Sequence, residues 1–191
     1  MLASGCGCKD ISCPSDSVEV FKKYAPPSIL EYHSGATSID FKASMAMGIT
    51  PASVPARKAN EGFVRVCKPT QNCYETLNWE AYAISNADRI RLELAMQVVT
   101  PAYDQATVLF PQGTVEVNED SYAFRFIGSL ESPQAARTTA DTTIRNRLFS
   151  TVLQFETSPS NTVSRFYLGE RAGIIGYTLR RTGETFWRTD L

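Results

Sequence analysis

Histidine is nearly absent from this sequence, and its scarcity narrows the catalytic chemistry that the chain can carry. The only histidine among 191 residues is His33, in the segment LEYHSGA. Histidine is the commonest general base and a frequent metal ligand. Ser34 and Glu31 flank it, but a Ser–His–acid triad is defined by geometry, which neighbours in sequence do not supply. Pairing with Cys67 or Cys73 is the other nucleophilic option, and we favour a packed or solvated loop histidine.

Nucleotide-binding and cation-binding motifs are also missing. The three glycines of GERAGIIG lack the G-x-G-x-x-G spacing, and no P-loop occurs. Glu116, Glu119 and Asp120 cluster in VEVNEDSY without the alternating acidic pattern and central glycine of a calcium loop. We interpret this cluster as a solvated turn between strands, with cation binding as the alternative. No cofactor and no metal site is predicted, and we expect no enzymatic activity.

Charge excess and long apolar runs are absent as well. The net charge is −1 and charged residues make up 20%, which argues against a broad nucleic-acid footprint. No apolar stretch approaches the roughly 18 residues that a membrane span needs. The N-terminus also lacks the basic start and apolar run of a secretory signal. We therefore predict no membrane span, no signal peptide and no direct reading of nucleic acid.

Cysteine is present, in two groups whose spacing argues against zinc. The first group is Cys6, Cys8 and Cys13, and the second is Cys67 and Cys73. Neither contains the paired C-x2-C spacing of a zinc finger, and no histidine pair completes a site.

A disulfide is the better interpretation for the second group. Cys67 and Cys73 flank KPTQN, where Pro69 and Asn72 suit a turn. Five is an odd number, so at least one thiol is free or bonds to another chain. Our hypothesis places Cys6, Cys8 and Cys13 at an inter-chain contact. Free thiols and thioether attachment of a tetrapyrrole are the alternatives that stay open.

Residues 1–60 have the composition of an extended N-terminal arm. Five of the ten prolines lie there, and proline breaks helices and central strands. The capping-box spacing of Asp16 and Glu19 predicts one short helix before Pro26 and Pro27. The alternation in SIDFKASMAM predicts one strand.

Residues 61–191 are predicted to form a β-sandwich or barrel domain. The clearest strand is RIRLELAMQVV, in which apolar and polar residues alternate. Further strands are predicted in EGFVRVCKP, TLNWEAYAIS, ATVLF, TVEV, SYAFRFIG, VSRFYLG, GIIGYTLR and ETFWRT. The connectors GERAG and RRTGE place glycine where a hairpin needs a positive φ. Such closely spaced strands predict an all-β, antiparallel sandwich or jelly-roll-like body, with at most one or two short helices in the chain.

Two segments within this domain are predicted otherwise. Ser132 and Pro133 resemble a helix start, so we predict a helix or loop over 133–146 and a strand over 147–156. Pro111, Gln112 and Gly113 predict a turn.

Aromatic residues crowd the last strands and admit two interpretations. They are Phe166, Tyr167, Tyr177, Phe186 and Trp187. Aromatic side chains are common both in sandwich cores and in the walls of ligand-binding barrels. We favour the core.

The leading functional hypothesis is a non-enzymatic structural subunit of a larger assembly. Its N-terminal arm would dock on neighbouring chains of a homo- or hetero-oligomer. A virus or phage particle component (capsid, neck or tail) is favoured, which would place the chain in a virion. The alternatives are a small-molecule-binding β-barrel and a scaffold or pigment-bearing subunit of a cellular complex.

Overall fold

The computed structural model describes residues 29–53, 71–83, 89–101, 112–127 and 129–191. All regular structure in these ranges is β-strand. Nothing in them folds into a helix of the length and apolarity that a membrane crossing needs. The strands are β1 (Ile29–Ser34), β2 (Thr37–Ser53), β3 (Gln71–Ala83), β4 (Arg91–Pro101), β5 (Gln112–Val117), β6 (Asp120–Ile127), β7 (Ser129–Glu131), β8 (Arg137–Ile144), β9 (Arg147–Glu156), β10 (Val163–Gly169), β11 (Gly173–Leu179) and β12 (Thr185–Arg188).

The strands form one antiparallel sheet in the order β7-β6-β5-β4-β3-β2-β1-β12-β11-β10-β9-β8. Apart from β1 and β12, strands that are neighbours in this order are consecutive in the chain. Strand β7 lies beside β9, so the sheet curls into a nearly closed, barrel-like form. The all-β, antiparallel prediction is confirmed. The sandwich or jelly-roll form is not confirmed, because the described strands form one continuous meander without the return connection of a Greek key.

The first two strands belong to the same sheet as the rest. Strand β1 pairs with β2 on one side and with β12 on the other, and β2 covers the strand predicted in SIDFKASMAM. The predicted short helix and the first three cysteines lie outside the described residues. The extended arm stays a prediction for residues 1–28 and 54–60, which lie outside the described residues.

Alternation along each strand decides which side chains enter the interior. In and just before β4, Ile90, Leu92, Leu94 and Met96 are at most 3% exposed, whereas Arg91, Glu93 and Gln97 on the other face are partly exposed. Successive side chains of a strand point to opposite faces, so one face of β4 supplies core. The predicted amphipathic strand is confirmed.

Aromatic side chains make up nine of the 23 buried residues in the main core of the described sheet. The rings of Tyr32, Phe41 and Tyr177 lie 5.1–5.8 Å from one another, and Phe155 stacks on Phe166 at 4.8 Å. All five are fully buried. Burial of each such side chain contributes about 2 kcal/mol, and edge-to-face or offset packing fixes the ring positions.

The helix or loop predicted over 133–146 is wrong for most of its length, because residues 137–144 form β8. Ile144, Leu148 and Val152 have helical spacing, but Thr138, Thr139, Thr142 and Thr143 are β-branched and favour a strand. Arg145 and Asn146 have φ of +47° and +68° and make the two-residue turn that joins β8 to β9. The strand predicted over 147–156 is confirmed.

Glycine has three different roles in the sheet. Gly173 and Gly183 have φ of +73° and +71°, as predicted for their hairpin connectors. Gly113 does not lie in a turn: it is a strand residue opposite Met96 and Phe124, which corrects the turn predicted there. Gly176 allows close packing, because a Cβ atom there would lie 2.3 Å from Cε3 of Trp187.

Candidate functional site

The cysteines predicted as site residues contribute little to the described structure. Cys6, Cys8, Cys13 and Cys67 lie outside the described residues. Cys73 is a backbone member of β3, opposite Pro51 and Thr100. The disulfide and the inter-chain contact both stay predictions.

His33 lies in β1 and contacts a carboxylate two residues away. Its Nε2 atom is 2.6 Å from Oε1 of Glu31, and both side chains are partly exposed. The hydrogen bond with His33 lowers the pKa of Glu31, and a further hydrogen bond from Thr189 acts in the same direction. This is a surface pair that joins β1 to the chain after β12.

Strand register separates His33 from Cys73. His33 is opposite Ser38 of β2, and Cys73 is opposite Pro51 of the same strand. Thirteen residues of extended chain span about 40 Å. The structure therefore does not bring His33 and Cys73 together, and the pairing of His33 with Cys67 lies outside the described residues.

The aromatic group of the last strands divides between two faces. Phe166, Tyr177 and Phe186 point inward and belong to the main core. Tyr167 and Trp187 lie on the opposite face, with ring centroids 4.7 Å apart, beside a second, smaller apolar cluster. These five residues do not form one wall. The sequence signal that predicts this division is the alternation of neighbouring strand residues, Phe166 with Tyr167 and Phe186 with Trp187.

The acidic turn at Asp120 is part of a polar cluster that ties two parts of the sheet together. Oδ2 of Asp120 accepts hydrogen bonds from the backbone and hydroxyl of Ser158 and from Asn161, at 2.8–3.0 Å. Arg180 donates to the carbonyls of Ser158 and Asn161 at 2.8 Å each. Burial opposes ionisation of Asp120, but the hydrogen bonds from Asn161 and Ser158 outweigh it and lower its pKa.

Asn161, at the centre of this cluster, fills its hydrogen-bonding capacity with protein groups. Asn161 is 7% exposed and makes four bonds, with Asp120, the Val117 carbonyl, Asn118 and the Val163 amide. Four is the full capacity of a side-chain amide. In the part of the chain that the structure describes, no three His, Cys, Asp or Glu side chains are arranged to hold a metal ion. The geometry therefore favours a structural role for Asp120 over cation binding.

A second acidic feature is a row of glutamates on the outer face of β3, β4 and β5. Glu93 lies directly opposite Glu80 on one side and Glu116 on the other. Burial raises the pKa of Glu93, and Glu116 and Glu80 raise it further, while the ion pair with Arg91 lowers it. The spacing of TLNWEAYAIS, RIRLELAMQVV and TVEV does not predict the row, because strand register is not written in periodicity.

A shallow pocket lies beside the glutamate row. Its volume is about 460 Å³, within the range of small-molecule sites. Asn78, Ala95, Thr114 and Ala123 form one cross-strand line through it. The amide and hydroxyl groups here offer hydrogen bonds to neutral polar groups.

Strand β8 lies at one end of the described sheet and presents a free edge that the sequence did not predict. Among the strands that the structure describes, it pairs with β9 only, and most of its side chains are exposed on both faces. Leu148, in the same hairpin, is 64% exposed. An open strand edge beside an exposed apolar side chain is a surface that pairs readily with another chain.

Comparison with protein-family models, with curated proteins and with solved structures found no significant match for this chain.

Proposed function

We propose that this protein is a non-enzymatic structural subunit of a larger assembly, in which the N-terminal residues contact neighbouring chains. The observation that carries the proposal is the free edge of β8 on a body whose described interior is filled by side chains. The polar groups around Asp120 support it, because they are used to hold strands together. A component of a virus or phage particle is the form we favour, by analogy with other β-rich bodies that assemble.

Native mass spectrometry tests this proposal directly. We expect the full-length chain, of 21.1 kDa per copy, to form a discrete oligomer or particle, and a variant without residues 1–16 to give folded monomers that are lighter than this by the mass of the deleted residues. Repeating both measurements with a reductant tests the cysteines. Loss of the oligomer both on truncation and on reduction would place Cys6, Cys8 or Cys13 in inter-chain bonds. A full-length chain that stays monomeric under all conditions would contradict the proposal.

The small-molecule-binding barrel is the second candidate, and one observation favours it. The indole Nε1 of Trp79 is buried, the residue being 1% exposed, and no group in the described part of the chain forms a hydrogen bond with it. Buried donors are normally paired, so this inward-facing group is available to a polar atom of a ligand.

Fluorescence distinguishes the second candidate from the first. Trp187 lies outside the main core, so Trp187→Phe leaves Trp79 as the interior reporter. A saturable shift in Trp79 emission with an apolar ligand that carries one acceptor would support the barrel binder. The unchanged emission of Trp79 across a ligand panel, in a chain that assembles, would support the structural subunit.

A further inference from the structure

The two outer edges of the described sheet differ in how far neighbouring side chains cover their backbone groups. At the β6–β7 edge, the Ser132 hydroxyl donates to the Ala123 carbonyl, and the Ala123 amide donates to Oε1 of Gln134, both at 2.6 Å. Side chains thus occupy backbone groups of β6 that β7 does not reach. The outer edge of β8 has no such cover among the described residues. It is eight residues long, against three for β7.

Hydrogen bonds on the two sides of β9 show which β8 residues face the free edge. The Thr151 carbonyl accepts from the Glu170 amide, beyond the end of β10, so even-numbered residues in this part of β9 face β8. The Ala136 amide donates to the Gln154 carbonyl at 2.8 Å, which agrees with this assignment. Arg137 and Thr139 lie opposite Gln154 and Val152, so their backbone groups face β9 and those of Thr138 and Ala140 face outward.

The composition of this edge lacks two of the common means of protecting an unpaired strand. Exposed edges are blunted by charged side chains, lysine above all, and by proline and bulges. RTTADTTI contains no lysine and no proline, and its two charges have opposite signs. Its one irregularity is Asp141, whose φ is +46° and which is missing from the ladder with β9. That irregularity shortens the usable edge without covering it. Neither Arg137 nor Asp141 has an ion pair with another described residue.

We propose that the outer edge of β8 pairs antiparallel with the same edge of a second copy, about a two-fold axis at Thr139. This deepens the proposed function and rests on it. An axis at Thr139 places Arg137 of each copy opposite Asp141 of the other, so two opposite-charge pairs flank a threonine pair. Opposite charges stabilise cross-strand neighbours and like charges destabilise them.

Charge selects this register over the neighbouring ones. An axis at Asp141 would set two carboxylates opposite each other. An axis at Ala140 would leave Arg137 and Asp141 opposite threonines. The resulting interface joins β9 and β8 of one copy to β8 and β9 of the other, as a symmetric contact. It is small, so one such contact is weak, and it gains strength when it is repeated across an assembly.

Charge reversal in the full-length chain tests the register. Arg137→Asp and Asp141→Arg should each weaken self-association about tenfold in sedimentation equilibrium, because each creates two like-charge pairs. The double variant should restore wild-type association, since it exchanges the partners. Arg165→Asp is the matched control, because Arg165 faces Glu156 within the sheet, at 3.8 Å. Circular dichroism checks that each variant is folded.

Cysteine substitution gives a second readout that does not depend on charge. Thr139→Cys should form a disulfide between copies, identified by mass spectrometry of the linked peptides, because residues opposite each other across an antiparallel pair lie within disulfide reach. Thr143→Cys should not link to itself.

The outcomes separate the inference from the proposed function. Assembly that is unaffected by the reversals, or a link at residue 143 in place of 139, overturns the inference and leaves the structural subunit standing. A chain that is monomeric at every concentration overturns both.

Discussion

Two groups of carboxylates on neighbouring strands respond to their surroundings in opposite directions. Asp120, at the start of β6, accepts three hydrogen bonds from Ser158 and Asn161, and its pKa is lowered. Glu93, in β4, lies between Glu80 and Glu116, and its pKa is raised.

The difference shows that nearby hydrogen-bond donors, rather than residue type, decide whether an ionised carboxylate stabilises or destabilises the folded state. Burial disfavours the ionised form at both sites. At Asp120 the loop after β9 supplies enough donors to reverse this effect. At Glu93 a single arginine, Arg91, is set against two glutamates. We therefore expect the first group to stabilise the sheet and the second to weaken it.

The largest effect should come from removing the central amide of the Asp120 cluster. Asn161→Ala deletes four hydrogen bonds at a buried position and leaves Asp120 with unpaired capacity. We expect the free energy of unfolding to fall by about 2–3 kcal/mol, measured by urea denaturation. Glu119→Ala, an exposed change in the adjacent turn, is the control. Equal midpoints for the two variants would contradict a stabilising role for the cluster.

The Asp120→Asn variant sharpens the comparison through its pH dependence. A lowered folded-state pKa means that the stabilisation is present above the unfolded value, about 3.9, and is lost as the pH falls through the folded value. We expect Asp120→Asn to be about 1 kcal/mol less stable than wild type at pH 7. The difference should shrink towards pH 2, in thermal unfolding followed across that range. A gap that is constant with pH would mean that Asp120 is not ionised in the folded protein.

The alternation of apolar and polar residues predicts most strands of the sheet. It does not predict how the strands at the two ends of the chain pair. The strands at β4, β6, β9 and β10–β12 match the predicted segments because each has a clear apolar face. Period alone does not reveal that β1 pairs with β12, because that contact joins distant parts of the chain. The same limit explains why a sandwich was predicted where the described strands form one curled sheet.

The candidate site residues were less accessible to sequence reasoning than the strands. The helical spacing of Ile144, Leu148 and Val152 led to the wrong prediction of a helix or loop where β8 lies. Better signals were the threonines of β8 and, in the turn after it, Asn146, because asparagine tolerates a positive φ. The glutamate row depends on the register of three strands. The Asp120 cluster depends on a loop 38–41 residues away. Local composition predicts neither the register of the strands nor the contact with a distant loop.

A smaller effect of opposite sign is expected from the glutamate row. Glu116→Gln removes one repulsive neighbour of Glu93 and keeps an oxygen for the hydroxyl of Ser121, which donates to Glu116 at 3.1 Å. We expect a gain of about 0.5 kcal/mol in the free energy of unfolding at pH 7, together with a lower pKa of Glu93 by NMR titration. Glu80→Gln should gain less, because Glu80 also lies 3.8 Å from Arg91. Destabilisation by Glu116→Gln would show that the row does not carry net repulsion.

The smallest expected effect is the response of that gain to salt, and it separates charge from packing. Repulsion between partly exposed carboxylates on adjacent strands weakens as the screening length falls from about 10 Å at 0.1 M to about 3 Å at 1 M. The advantage of Glu116→Gln over wild type should therefore narrow between these concentrations, measured as the difference in unfolding temperature. The loss caused by Asn161→Ala should hold over the same range, because it reflects neutral donors and acceptors at a buried site. If Asn161→Ala and Glu116→Gln respond to salt in the same way, then the number of hydrogen-bond donors near each carboxylate does not explain why one variant loses stability and the other gains it.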